Sequence, residues 1–284
     1  MDLCDRKDIQ SLLARHGFHF AKSLGQNFLI RGDVAEAIAD AGCIPGCGVL
    51  EVGPGIGALT VQLARRAEKV VSVELDKRLP PVLAETMADC DHFTLIEGDV
   101  MKLPLAEVAA ERFQGLEPVL CANLPYNITT PFLTECVRAG CFRQLTVLIQ
   151  KEVAQRICAR PGTGEYGAFT VLMQYYTEPE LLFEVPNTCF MPPPKVTSAV
   201  VRCVTRRETP VRVVSEEAFW RTVRAGFALR RKTLVNSLQT GWQLPKERLA
   251  GIVESCGLPP TVRGETLGLE EYARLADALA AAVE

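Results

Sequence analysis

Asn123-Leu124-Pro125-Tyr126 packs an amide, a turn and an aromatic ring into four residues just after an apolar run. The Asn123 side-chain oxygen and the Leu124 carbonyl can accept both N–H bonds of a base's exocyclic amine and aim its lone pair, while the Tyr126 ring stacks on an extruded base. Rate would then come from alignment, and a neutral amine attacks without prior removal of a proton. Upstream, Glu51-Val52-Gly53-Pro54-Gly55-Ile56-Gly57 is a glycine turn between a strand pattern and a helix pattern. Such a turn lets backbone approach a ligand closely and points helix N–H groups at it. Gly53-x-Gly55-x-Gly57 is not the G-x-G-x-x-G spacing of dinucleotide binders. Glu74 follows about 20 residues on, at a strand end, where a carboxylate can accept both hydroxyls of a ribose. Asp99, after the next strand, can accept from an adenine amine.

In order and spacing, Gly53, Gly55, Glu74 and Asp99 resemble an S-adenosylmethionine site. The tetrapeptide resembles the N-P-P-Y motif of enzymes that methylate exocyclic amines, with Leu124 replacing the first proline. Together with Gly25-Gln26-Asn27-Phe28-Leu29, Gln150-Lys151-Glu152-Val153 and Phe190-Met191-Pro192-Pro193-Pro194-Lys195-Val196, the chain is similar to the ribosomal RNA adenine dimethylase family. Phe227-Ala228-Leu229-Arg230-Arg231-Lys232-Thr233-Leu234 and Arg263-Gly264-Glu265-Thr266-Leu267 resemble the helical domain of its bacterial small-subunit branch.

The resemblance implies transfer of methyl groups from S-adenosylmethionine to N6 of two adjacent adenosines in a small-subunit (16S) rRNA hairpin loop, within an immature 30S particle. It implies cofactor contacts from Asn27, Leu29, Gly53, Gly55, Glu74, Asp99 and Asn123. Catalytic positions are Asn123, Leu124, Pro125 and Tyr126, with Phe190 helping to enclose the base. Lys22, Lys195, Arg230, Arg231 and Lys232 are candidates for RNA phosphate contacts, and Arg156 is a weaker one. Ala21-Lys22-Ser23-Leu24 departs from the more basic and aromatic stretch of many relatives.

These residues need a scaffold that brings strand ends together. From Gly48 to Ala122 short β-type runs alternate with helical stretches, the pattern of a parallel sheet flanked by helices. Strands are predicted at 49–52, 69–74, 94–96, 118–122 and 144–149. Helices are predicted at 58–66 and at 78–87, the latter beginning at Pro80-Pro81. A closing antiparallel pair is predicted at 180–185 and 198–204. After about Arg207 helical periodicity takes over, at 215–225, 230–238, 246–254 and 269–281. The expected fold is α/β: a Rossmann-like methyltransferase domain over 1–207 and a smaller all-α domain over 208–284.

The 284 residues carry 31 basic and 34 acidic side chains, a net of −3, which does not favour a nucleic-acid partner. The total conceals an uneven distribution: Arg202–Glu284 holds 13 basic against 10 acidic residues, and 218–246 has no acid at all. That segment offers a positive face. The 11 cysteines are scattered without C-x-x-C spacing, so reduced thiols and no metal site are expected. The three histidines match no motif and are read as surface or packing residues. The first residues lack signal-peptide order and no run of about 18 apolar residues occurs, so the expected location is cytoplasmic, away from membranes. Oligomeric state is not predicted.

Three other readings compete. One is the related large-subunit methylase of macrolide resistance, which tends to be more basic. Another is a non-catalytic assembly protein on the same fold, against which the complete tetrapeptide and Glu74 argue. The third is a DNA adenine methylase, which would need a separate target-recognition domain.

Overall fold

The computed structural model describes residues 1–20 and 26–283. Lys22 and Gly25 lie outside the described residues. The chain divides into two compact units, Met1–Ala154 with Glu178–Thr205, and Gln155–Thr177 with Arg206–Glu284.

The first unit opens with α1 (Arg6–Arg15), begun by Asp5, whose carboxylate accepts from the Lys7 and Asp8 amides. Ile9, Leu12 and Leu13 form its buried stripe, at helical spacing. Then follow β1 (Phe28–Leu29), α2 (Gly32–Gly42), β2 (Cys47–Val52), α3 (Ala58–Ala64), β3 (Lys69–Glu74), α4 (Pro80–Thr86), β4 (Phe93–Glu97), α5 (Leu105–Arg112), β5 (Glu117–Asn123), α6 (Thr129–Ala139), β6 (Gln144–Gln150) and α7 (Lys151–Ile157). As expected from its prolines, α4 starts at Pro80, where missing amide donors cost nothing. After α8 (Ala168–Tyr176) the chain returns through β7 (Thr177–Val185), β8 (Phe190–Met191) and β9 (Ser198–Thr205).

The main sheet has seven strands in the order β4-β3-β2-β5-β6-β9-β7. The first five are parallel, and β9 runs antiparallel to β6. β2 is buried along its whole length, as a strand covered by helices on both faces must be. The chain builds outward from β2 to β3 and β4, then returns to lay β5 on the other side of β2. The crevice at the carboxyl ends of β2 and β5 is therefore the topological switch point, where open α/β sheets bind ligands. A separate two-stranded ribbon pairs β1 with β8, Phe28 opposite Met191 and Leu29 opposite Phe190.

The second unit is helical: α8, α9 (Glu216–Ala228), α10 (Leu234–Leu238), α11 (Lys246–Ser255) and α12 (Leu269–Ala281). Ser215 caps α9 by accepting from the Ala218 amide at 3.2 Å. Phe219, Val223, Leu234, Leu249, Tyr272 and Leu275 form its core. Two features differ from the sequence expectation. A cut at 207 leaves α8 with the sheet, whereas Val171 and Tyr175 bury themselves in the helical core and the Tyr166 hydroxyl donates to the Leu267 carbonyl at 2.9 Å. The helix expected from Arg230 begins only at Leu234, because the Lys232 amide closes a turn on Leu229 and the Leu234 amide donates to Val262 at 2.7 Å. The basic triplet 230–232 thus lies in a turn.

Candidate functional site

The glycine turn after β2 is shaped by backbone conformations open mainly to glycine: Gly53 and Gly55 have φ of 66° and 60°. It is also crowded. A Cβ on Gly55 would stand 2.9 Å from Cδ1 of Phe28, and one on Gly53 would stand 3.7 Å from the Pro125 ring. The space a side chain would fill at Gly53 faces the tetrapeptide itself.

Around this turn lies a cleft of about 870 Å³ including its open mouth, lined by Gln26, Asn27, Gly53, Gly55, Glu74, Asp99 and the loop Asn123–Ile128, among others. Glu74 ends β3 and is buried; its Oε1 accepts from the Asp76 amide at 2.8 Å and its Oε2 from the Gly55 amide at 3.4 Å. Burial raises its pKa, with the Asp76 and Gly55 amides opposing the shift. Asp99 accepts from the Met101 amide at 3.0 Å, which fixes its carboxylate at the end of the next strand.

Asn123 is the last residue of β5. Its Nδ2 donates to the Asn27 carbonyl at 3.2 Å, which commits the donor side of the amide and leaves Oδ1 as an acceptor. The Leu124 amide donates to Leu148 of β6 at 3.1 Å. The Pro125 carbonyl accepts from the Ile128 amide at 3.2 Å and from the Thr129 hydroxyl at 3.1 Å, folding the loop into the start of α6. The Tyr126 hydroxyl lies 2.8 Å from that of Ser198. Asn27, Gly53, Gly55, Glu74, Asp99 and Asn123–Tyr126 therefore share one cleft.

Two expected site residues do not line it. Phe190 is 1% exposed, and its ring belongs to the core beside Val185 and Cys189 because β8 is zipped onto β1. Leu29, its ladder partner, lines a smaller adjoining recess of about 300 Å³ with Glu51, Gly53, Gly55 and Asn123. Glu51, the first residue of the glycine motif, is fully buried and accepts on Oε2 from the Thr60 hydroxyl at 2.8 Å and the Ser72 hydroxyl at 2.6 Å. Burial pushes its carboxyl up to about 7.

Sequence reasoning overlooked several wall residues. Gln26 donates to Asp76 at 2.7 Å, and Arg78 holds Asp76 through two guanidinium bonds and its backbone amide, which keeps that carboxyl below its ordinary range. Leu75, 54% exposed and in the cleft wall, is an apolar face at a strand end; its position directly after Glu74 was the available signal. The histidines stand outside the cleft wall: His16 meets Glu85 at 2.7 Å and His92 meets the Ala64 carbonyl at 2.8 Å. Lys195, Arg231 and Lys232 are exposed, and among the described residues no acid pairs with them, whereas Arg230 is held by Glu265 at 3.1 Å and by the Gly164 carbonyl. The Arg156 carbonyl accepts from the Thr170 hydroxyl at 2.7 Å. Among the described residues no helix is long and apolar enough to cross a membrane.

Comparison with known proteins places this arrangement. A model described as ribosomal RNA adenine dimethylase matches residues 17–280. The ribosomal RNA small subunit methyltransferase A of Geobacillus thermodenitrificans is 48% identical over 278 residues, covering 95% of this chain and 94% of its own. That of Bacillus cytotoxicus is 45% identical, covering 98% and 97%. Among solved structures, the 23S rRNA methyltransferase ErmE aligns with a TM-score of 0.68 at 28% identity, covering 89% of this chain and 100% of its own. A dimethyladenosine transferase from Plasmodium falciparum shares the fold, with a TM-score of 0.72 at 22% identity over 87% and 95% of the two chains. With a family match over residues 17–280 and a relative 48% identical over nearly the whole chain, the chain belongs to the ribosomal RNA adenine dimethylase family.

Proposed function

We propose that the chain is an S-adenosylmethionine-dependent methyltransferase that dimethylates N6 of two adjacent adenosines in a small-subunit rRNA hairpin loop, on an immature 30S particle in the cytoplasm. One observation carries this reading: Asn123, its amide fixed by Asn27, stands in the wall of the same cleft as Glu74 and Asp99. That shared wall supports reading Glu74 and Asp99 as contacts for a nucleoside cofactor and Asn123 as the neighbouring acceptor for a base amine.

The residues fit the cofactor. Gly53 and Gly55 keep the turn in a left-handed backbone with no side chain in the cleft wall, buried Glu74 offers carboxylate oxygens to a ribose, and Asp99 offers one to an adenine amine. Asn27 joins Gly53, Glu74 and Asp99 in that wall, and Leu29 backs it from the adjoining recess. When bound, S-adenosylmethionine supplies an electrophilic methyl group. Asn123 Oδ1 and the Leu124 carbonyl accept from the target amine, two N–H bonds before the first transfer and the one that remains before the second, and hold its lone pair in line. Pro125 keeps the loop pressed on Gly53, and Tyr126 stacks on the extruded base. Adenine in a single-stranded loop is cheaper to extrude than a paired base. Lys195, Arg231 and Lys232 take phosphate contacts.

The experiment is transfer of labelled methyl from S-adenosylmethionine to undermethylated small subunits, with large subunits and DNA as controls, followed by nucleoside analysis. Dimethyladenosine from small subunits alone is expected. Label on large subunits would assign the chain to the resistance-type activity, and label nowhere would favour an assembly protein without transfer. The small-subunit reading is preferred because relatives with that name are 45–48% identical, against 28% for the large-subunit enzyme.

A further inference from the structure

Tyr126 sits in a turn that has no strand or helix hydrogen bonding of its own. The loop is pinned before it by the Leu124 amide on Leu148, and after it by the Ile128 amide and Thr129 hydroxyl on the Pro125 carbonyl. None of these bonds fixes the direction of the Tyr126 ring. A ring attached only at Cβ can still turn about two side-chain torsions, and a stacking platform that turns does not hold a base in line.

The tether at the far end of the ring is Ser198. It is fully buried, it is the first residue of β9, and it stands opposite Gln150 on the last rung of the β6–β9 ladder. The adjacent Thr197 carbonyl accepts from the Lys151 amide at 3.0 Å, so the rung is closed on both sides. The Ser198 hydroxyl meets the Tyr126 hydroxyl at 2.8 Å. Burial also keeps the Tyr126 phenol protonated, its pKa raised by desolvation against the opposing pull of Ser198. The same strand, β6, thus carries the anchor of Leu124 and, through its ladder to β9, the anchor of Tyr126.

We infer that Ser198 is a positioning residue for methyl transfer, locking the Tyr126 ring from its hydroxyl end so that the ring presents one face to the target base. The inference rests on the proposed function, since the base is the ligand that the ring receives.

The test is a double-mutant cycle of Ser198→Ala and Tyr126→Phe, assayed on undermethylated small subunits with cofactor affinity and thermal unfolding measured in parallel. Tyr126→Phe keeps the ring and removes only the tether, so it stays informative even where Ser198→Ala disturbs the strand. Each single variant is expected to lower kcat about tenfold, with cofactor Kd and RNA KM within about twofold of the parent. The double variant should fall no further than either single one. Losses that multiply to about a hundredfold, or a Tyr126→Phe enzyme with parental kcat, would overturn the inference while leaving the function in place. A parent chain that methylates no RNA would overturn both.

Discussion

The Nδ2 of Asn123 donates to the main-chain carbonyl of Asn27 at 3.2 Å, joining the strand-end tetrapeptide to the segment just before β1. That bond separates two roles within one cleft. On the proposed function, Asn123→Ala removes the acceptor for the target amine and is expected to lower turnover by about a hundredfold with cofactor affinity largely kept. Glu74→Ala is expected to weaken cofactor binding by about tenfold to a hundredfold, the worth of hydrogen bonds to a buried charged group. Calorimetric titration of both variants with S-adenosylmethionine decides it, and equal losses of affinity would refute the division.

Gly55→Ala forces a side chain into a left-handed backbone and against the Phe28 ring. Strain of about 1–2 kcal/mol from the backbone alone is expected. It should appear as a lowered melting temperature together with at least about tenfold weaker cofactor binding. Parental affinity would mean that the ligand makes no close approach to this turn.

Glu51 sets a pH dependence of stability. Its buried carboxyl titrates at about 7 against an ordinary 4.5, so between those values the folded chain holds a proton that the unfolded chain has released. Stability from this group falls as pH rises through that window and is level above it, by about 3 kcal/mol in all. Glu51→Gln cannot ionise, and the glutamine oxygen can still accept from Thr60 and Ser72. Urea midpoints of variant and parent should nearly coincide at pH 5 and separate at pH 8 with the variant the more stable; a gap independent of pH would contradict the assignment.

In the helical unit, a Cβ on Gly264 would collide with the carbonyl oxygen of Gly226 in α9, beside the Tyr272 hydroxyl that donates to Gly264 at 2.9 Å. Gly264→Ala is expected to cost about 1–3 kcal/mol by overpacking. Chemical unfolding followed by tryptophan fluorescence would report it, since Trp220 and Trp242 both pack in this unit.

Arg231→Ala with Lys232→Ala should weaken RNA binding across sequences and reduce the slope of log affinity against log salt by about one for each phosphate no longer neutralised. Arg230→Ala should instead lower thermal stability, because its guanidinium already bonds Glu265 and Gly164. An unchanged salt slope in the double variant would remove Arg231 and Lys232 from the interface.

What could be read in advance follows from range. The parallel strands and the glycine turn are local patterns of buried β-branched residues and positive φ, and β3 and α12 fall at the expected limits. The tetrapeptide stood out because its chemistry lies within four residues. The burial of Phe190 was not legible, because it depends on pairing with Leu29, far away in the chain. Ser198 gave no signal at all, since a serine at a strand start acquires meaning only when Tyr126 is folded over it. The triplet 230–232 had helical composition, but the Leu234 amide found a better partner in Val262. The bond of Asp76 to Gln26 was invisible for the same reason as Ser198.

β2 and β5 lie side by side in register, with Leu50 opposite Leu120 on their last shared rung, and Gly53 and Asn123 each come three residues later. The Gly53 and Asn123 loops are thus gauged by one interstrand spacing, about 4.8 Å, the least adjustable length in the sheet. Lengthening the turns beyond β4 or α5 alters the periphery and leaves this gauge untouched. A single slipped residue between β2 and β5 would put the two loops out of step by about 3.3 Å. Tolerance to insertion should therefore be greater in the turns beyond β4 and α5 than along that seam.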